Sequence, residues 1–398
     1  MQLVSMDNNS NSDSCYLPHH PVVKKASTTT KVRVVFDGSA KTSTGHSLND
    51  ALLVGPVVQD DLLSIILRFR TYPVALVADI EKMYRQVKLN TKDTPFQRIL
   101  WRFNPQEPIQ SYELLTVTYG LASSSFLATR TLKQLAEDEG EAYPLGGPAL
   151  RNNFYVDDFI AGAESIEEAI KLQTEITELL SKGGFVLRKW TSNKLQVLQG
   201  LSTDEIGTHS PLKFDENETV KALGIAWEPE EDKLRFDINI NQKGNTTKRA
   251  LLSEISQLFD PLGLVTPVII RGKLLIQQLW LETCGWDDTV PENIALKWKR
   301  YSEQLPALSN FKFNRYAFLP KAEIQLHTFA DASEAAYGAC TYSRSIDSEE
   351  NVGHRLERLS VRDDGDVAEE NERNIENIHI PHQDGEEVKE GERKNLAL

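Results

Sequence analysis

The chain has 398 residues, enough for two or three domains with their own cores, and its 40% apolar and 26% charged content is that of an ordinary globular protein. No apolar run approaches the length a bilayer needs, no signal-peptide pattern opens the chain, and three scattered cysteines argue against a disulfide framework or zinc knuckle; together these point to a soluble intracellular protein. The formal net charge of −14 does not exclude nucleic acid as a partner, because residues 346–398 hold most of the excess, with seven basic against sixteen acidic groups.

Residues 1–16 ("MQLVSMDNNSNSDSCY") are polar and read as loose. "KVRVVFD" (31–37) alternates basic and apolar residues as a strand does, "DGSAKTSTGHSLND" follows as a loop, and "QDDLLSIILRFR" (59–70) has helical spacing. "YPVALVADI" (72–80) is apolar and β-branched, which predicts a strand buried on both faces. "PFQRILWRF" and "SYELLTVTY", separated by "NPQEPIQ", predict a hairpin, and residues 121–139 a helix.

"RNNFYVDDFIAGAES" (151–165) reads as strand, tight turn, strand, with Asp157 and Asp158 at the turn. Ser165 is in N-cap position with Glu168 three residues on, and a helix over 165–182 places Ile166, Ala169, Ile170, Ile176 and Leu180 on one face before Gly183-Gly184 end it. "FVLRKW" (185–190) is again a strand. The resulting order β-α-β-β-α-β is the split βαβ, ferredoxin-like unit of an α+β fold. Beyond about 211, "VKALGIAWEPEEDKLRFDI" predicts a hairpin, 247–282 a helical region interrupted at "DPLG" and "TPV", and 322–343 a strand, turn and strand. The acidic remainder has few apolar residues and no periodicity, so it reads as disordered.

Asp79 ends the buried strand, and Asp157-Asp158 are flanked by Phe154, Tyr155, Val156, Phe159 and Ile160. An unpaired carboxylate is costly in such company. If the two strands are neighbours, Asp79 and Asp157 meet, and like charges so close repel unless a cation lies between them. Hard oxygen ligands suit Mg2+ or Mn2+, and two such ions about 3.5–4 Å apart stabilise both the attacking and the leaving oxygen in phosphoryl transfer. A lone Asp-Asp pair is more often a solvated turn; the strand-ending Asp79 and the apolar flanks favour the metal reading here.

"FYVDDF", with "LVADIEKMYRQVKL" upstream, resembles the Y-x-D-D palm motif of retroelement reverse transcriptases. "YLPHHPVVK", "TTTKVRVVFDGSAKTSTGHSLNDALLVGP", "YGLASSSFLA" and "FDPLGLVTP" extend the resemblance, over about residues 16–343, to the polymerase region of BEL/Pao-type LTR retrotransposons. The resemblance implies an α+β right-hand polymerase with fingers and a ferredoxin-like palm, then a thumb/connection-like segment and truncated RNase H-like strands. The expected divisions are a disordered N-terminus (1–15), fingers and palm (16–210), a primer-grip, thumb and connection region (211–320), the start of an RNase H domain (321–344) and an acidic disordered tail (345–398). The implied function is RNA-directed DNA synthesis with two Mg2+ or Mn2+ ions, dNTPs and an RNA or DNA template-primer duplex as partners. Other parts of the polyprotein are further partners. The implied place is the cytoplasm or nucleus, in retroelement particles, with no membrane contact.

By position, Asp79 matches the family's first metal ligand and Asp157 the second, with Asp158 as the neighbouring motif aspartate. Lys31 and Arg33 resemble fingers residues that grip the triphosphate, where positive charge and planar donors are needed. Tyr84 matches the aromatic gate against the ribose 2′-hydroxyl, and Tyr119-Gly120 the segment lining the nucleotide pocket. Lys189 or Arg188 stands where the family has a basic group near the triphosphate, and Tyr155 near the primer end. Leu223 and Gly224, in "LGIAW", resemble the primer-grip hairpin, and Asp331 the first RNase H carboxylate. Ser125 stands where relatives are expected to carry proline. Residues from about 215 to 343 correspond to a region labelled a Pao retrotransposon peptidase, but neither "DTG" nor "DSG" occurs. An RNase H that enters a polar tail and fingers that begin abruptly suggest the alternative, a catalytically inactive fragment that keeps the fold and at most binds nucleic acid.

Overall fold

The computed structural model describes residues 1–4, 14–23, 32–207, 212–213, 225–236, 238, 246–282, 284–333 and 336–363. They divide into two units, one of residues 1–65 and 74–207, the other of residues 66–73 and 208–398. The second unit therefore includes a short segment from early in the chain.

In the first unit, strands β1 (His19–Val23) and β2 (Val32–Phe36) pair antiparallel, His19 opposite Phe36. Helix α1 (Leu62–Phe69) straddles the division, and β3 (Val74–Ile80) follows it. The hairpin read from "PFQRILWRF" and "SYELLTVTY" is β4 (Arg98–Trp101) with β5 (Gln110–Glu113), and buried Arg98 grips Glu113 at 2.8 Å. Gln2–Leu3 add to its edge opposite Glu113 and Tyr112. These N-terminal residues, expected to be disordered, are thus paired; residues 5–13 lie outside the described ones.

The palm then assembles from α2 (Ser124–Asp138), α3 (Gly146–Asn152), β6 (Phe154–Tyr155), β7 (Asp158–Ala163), α4 (Ile166–Lys182) and β8 (Leu187–Ser192). The sheet order is β6-β7-β3-β8 with every pair antiparallel, the strand order of the ferredoxin-like unit. One face carries Leu76, Ala78, Ile80, Phe159 and Ala161 against Leu132 of α2 and Ile176 of α4 in a single core. In an antiparallel pair, directly opposed residues share a face. Asp79 and Asp158 are opposed, so both lie on the other face, at the end of the two central strands.

Helix α4 begins at Ser165, whose hydroxyl accepts from the Glu168 amide, while the Glu168 carboxylate accepts from Glu164 N one residue further back than a capping box requires. Its buried face is Ala169, Leu172, Gln173, Ile176, Leu179 and Leu180. Ile170, read as part of that face, is exposed.

In the second unit, β9 (Ile225–Glu228) and β10 (Lys233–Phe236) form the foreseen hairpin, continued by β11 (Lys312–Asn314). Helices α5 (Lys248–Ile255) and α6 (Thr266–Leu281) are separated at "DPLG". "TPV" does not interrupt a helix but opens α6, because Pro in the first turn has no amide to leave unpaired. Half-buried Asp260 holds the residues just before α6, accepting from Leu264 N (3.0 Å) and Val265 N (2.7 Å). Helix α7 (Glu292–Gln304) follows. The fully buried Arg315 donates to Asp232 (2.6 and 2.8 Å) and to the carbonyls of Phe69, Tyr72 (2.8 Å) and Pro73. Trp227 stacks edge-on to Phe69 at 5.2 Å. Segment 66–73 is held into this unit by those contacts.

The last sheet is β12 (Glu323–Ala332), β13 (Ala336–Ile346) and β14 (Val352–Asp363), in that order and antiparallel. The acidic tail was expected from residue 345, yet β14 extends the sheet to Asp363 by pairing along the whole of β13. Its residues 352–362 ("VGHRLERLSVR") carry fewer acidic than basic groups and recurring apolar positions, a local pattern that the tail's average composition hid.

Candidate functional site

The site is built where β3, the β6–β7 turn and β8 end together. Asp79 is the penultimate residue of β3; Ile80 N donates to Asp157 O at 2.9 Å, so the turn is tied to the strand end. Asp158, the first residue of β7, faces both Asp79 and Tyr155 in register. The three aspartates thus stand on adjacent segments at one end of the sheet. The register puts Asp158, which the sequence reading ranked below Asp157, directly across from Asp79. Val156 adopts φ 54, and its peptide is bracketed by the Gln59 amide: Val156 N donates to Gln59 Oε1 (2.8 Å) and Gln59 Nε2 donates to Val156 O (3.3 Å).

On the other side of β3, the ladder with β8 is irregular: Val77 pairs with Thr191 but Asp79 with Arg188, so β8 carries one extra residue. Lys189 takes φ 57 within this bulge, and bulges re-aim side chains. Its ammonium donates to Asp79 Oδ2 at 2.7 Å. Arg188 instead meets Glu81 (3.3 Å) and Asp204 (3.6 Å). Of the two basic residues left open by the sequence, Lys189 is the one at the carboxylates. Burial disfavours its charge, but the Asp79 hydrogen bond and the charges of Asp79, Asp158 and Asp157 outweigh this and hold its amine above the usual lysine range.

Among the described residues, no group of three or more His, Cys, Asp or Glu side chains is drawn together tightly enough to hold a metal as it stands. The donors at the Asp79 centre nevertheless fit a hard divalent cation, since they are carboxylate oxygens alone and already draw in a positive group, the Lys189 ammonium.

Beside the carboxylates, the short helix Met83–Gln86 carries Tyr84, part-buried against the palm core, with its hydroxyl 3.2 Å from Ser125 Oγ at the start of α2. Tyr119 packs on Phe36 of β2 (5.5 Å); burial raises its hydroxyl's pKa while Arg85 and Arg33 pull it down, which places two cations near it. Gly120 has φ 91, and a Cβ there would lie 2.2 Å from Phe36 O. The sequence reading missed Asn49, which holds this crossing: it donates to Gly120 O (3.1 Å) and Ser39 Oγ (2.9 Å) and accepts from Ala122 N (2.9 Å). It also missed Arg85 and Gln59. Arg85, adjacent to Tyr84 in "KMYRQ", was the one with a readable signal.

Lys31, Leu223 and Gly224 lie outside the described residues. Asp331 is exposed near the end of β12, opposite Gly338, and is not brought to the palm carboxylates' sheet.

A family model described as "Reverse transcriptase (RNA-dependent DNA polymerase)" matches residues 23–226, just over half of the chain. The chain belongs to the reverse transcriptase family. A second model, the Pao retrotransposon-like RNaseH-like domain, matches residues 247–357. It covers α5–α7, which the sequence reading gave to the thumb and connection, and its description is RNase H-like where a peptidase label was expected. Two solved structures of a foamy viral protease-reverse transcriptase share this reverse transcriptase fold. One, in complex with ds DNA, has 14% identity and TM-score 0.53 over 87% of this chain. The other, with an RNA/DNA hybrid, has 14% identity and TM-score 0.51 over 88% of it. The chain spans 51% and 40% of those proteins' lengths. No curated protein matches it.

Proposed function

We propose that the chain is an RNA-directed DNA polymerase that joins dNTPs to a primer 3′-hydroxyl on an RNA or DNA template. The observation that carries this reading is the in-register meeting of Asp79 with the Asp157–Asp158 turn at the end of the palm sheet. Asp79 and Asp157, with Asp158 beside them, would hold two Mg2+ or Mn2+ ions, which supply charge stabilisation for the attacking and leaving oxygens. The chain's own groups do the rest. Arg33 and Arg85 offer positive charge to the triphosphate around Tyr119, and the family resemblance gives Lys31 the same part. Tyr84 excludes the 2′-hydroxyl by bulk, and the Ser125 hydroxyl holds its ring. Gly120 lets the backbone approach the nucleotide closely. Lys189, with its raised affinity for protons, is placed to give way at Asp79 and meet the triphosphate instead. The family resemblance gives Tyr155 a contact with the primer end and Leu223-Gly224 a part in the primer grip. Asp331 lacks the partner carboxylates of a nuclease centre among the described residues, so no RNA cleavage is assigned to it.

Its proposed place is inside the cell, as part of a retroelement polyprotein, where its three cysteines stay free. No helix among the described residues is long and apolar enough to cross a membrane.

Primer extension on poly(rA)/oligo(dT) with Mg2+ tests the reading. Wild type should extend the primer, while Asp79→Asn and Asp157→Asn should lose at least about 100-fold. A folded wild type that extends nothing sinks it. Salt-sensitive template binding without synthesis would then leave a nucleic-acid-binding remnant.

A further inference from the structure

Gln59 does nothing in the reaction drawn above, yet it meets the peptide that precedes the catalytic aspartates. Its amide donates to Val156 O and accepts from Val156 N, so each end of the carboxamide has one role and its orientation is fixed. Val156 needs such a partner. A β-branched residue at φ 54 is in the left-handed region that L-residues avoid, and such a conformation persists only where its surroundings over-determine it. On the other flank, Ile80 N fixes Asp157 O at 2.9 Å. The turn is thus gripped by β3 after Val156 and by Gln59 at Val156 itself.

Gln59 is presented from a fixed stretch of chain. Four residues earlier, Gly55 (φ 81) lies so close to Phe126 of α2 that an added Cβ would meet the ring at 2.3 Å. Two residues later, Asp61 receives Ser64 N (2.8 Å) and Ser64 Oγ (2.9 Å) at the first turn of α1. A side chain anchored on both flanks transmits its own position to what it holds.

We propose that Gln59 is a positioning residue of the aspartate turn: its amide keeps Val156 in the left-handed conformation and so sets Asp157 against Asp79. The effect on synthesis rests on the polymerase reading; the clasp itself does not.

The test compares wild type, Gln59→Ala and Gln59→Met, each checked by thermal melting. In the metal-free protein, amide hydrogen exchange at Val156 should quicken roughly 10-fold or more in both variants, with Val77 and Ile160 in the strand centres unchanged. Mn2+ affinity should weaken in both. In primer extension, kcat should fall roughly 10- to 100-fold while template-primer Kd stays constant. Methionine fills the glutamine's space without its hydrogen bonds, so recovery by Gln59→Met would overturn the proposal. Unaltered Val156 exchange in Gln59→Ala would overturn it too, whatever happens to synthesis. A wild type that exchanges as expected but extends no primer sinks the polymerase reading and leaves the clasp standing. Val156→Gly gives an independent check, because glycine takes positive φ freely. In that background Gln59→Met should cost less Mn2+ affinity than in wild type, and an equal cost would overturn the proposal.

Discussion

Gly120 stands where the chain crosses beneath β2 with its α-carbon close to Phe36 O, and neither its φ of 91 nor the 2.2 Å clearance leaves room for a side chain. Gly120→Ala should therefore destabilise the first unit by about 2 kcal/mol or more, read from urea unfolding, and slow extension through a displaced Tyr119. Lys189 gives the opposite kind of prediction. Its ammonium competes for Asp79, so Lys189→Met should tighten Mn2+ binding by roughly two- to five-fold, the modest range of a half-exposed ion pair, in a Mn2+ titration followed by paramagnetic resonance. The meeting of Asp79 with the Asp157-Asp158 turn was legible in the sequence because a carboxylate in apolar company is a chemical anomaly wherever it falls. Gln59 and Asn49 were not, because each acts by gripping backbone far away in the chain, and an amide in a loop looks the same whether or not it does so. The positive φ of Val156 and Lys189 left no trace either, since neither residue type favours it.

At the scale of elements, periodicity and caps found α1, α2, α4 and the palm strands, and their β-α-β-β-α-β order was enough to anticipate the sheet. Helix α3 was missed for a local reason: "LGGPALRN" opens with two glycines and a proline, poor helix formers. Its first turn is satisfied from α4 instead, where Glu175 accepts from Leu145 N (2.7 Å) and Gly146 N (2.9 Å). Glycine suits the site, because a Cβ on Gly147 would lie 2.3 Å from Gly140 O. The start of α6 makes a pH prediction. Burial pushes the Asp260 carboxyl up to about 6, although hydrogen bonds from Val265, Leu264 and Gly263 work to lower it. A folded-state value above the unfolded one means the folded chain binds more protons, so this group's contribution to stability falls as pH rises from about 4 to 6 and is level above that. Asp260→Asn should remove that component: its melting temperature relative to wild type should climb across this window and then plateau, measured by calorimetry at constant ionic strength.

For the whole molecule, the informative contact set is the one around Arg315. The guanidinium is fully buried and serves Asp232 together with the carbonyls of Phe69, Tyr72 and Pro73. Arg315→Met should cost about 3–5 kcal/mol, because it takes a guanidinium away from the Asp232 carboxylate, which keeps the Trp227 indole N–H, and from three backbone carbonyls; Asp232→Asn combined with it should recover part of the loss in urea unfolding. No sequence pattern marked this assembly, since a helix end at 66–73 and a strand end at 312–315 share only their final geometry. The division of the fold accordingly departs from the order of the chain: residues 66–73, written between two parts of the first unit, are held in the second. Such interleaving limits how a gene of this kind can be cut and rejoined. A recombination crossover after codon 207 would hand the recipient a first unit with segment 66–73 attached, whose Phe69 has lost Trp227 and whose carbonyls have lost Arg315, so inheritance should favour crossovers that move both units together.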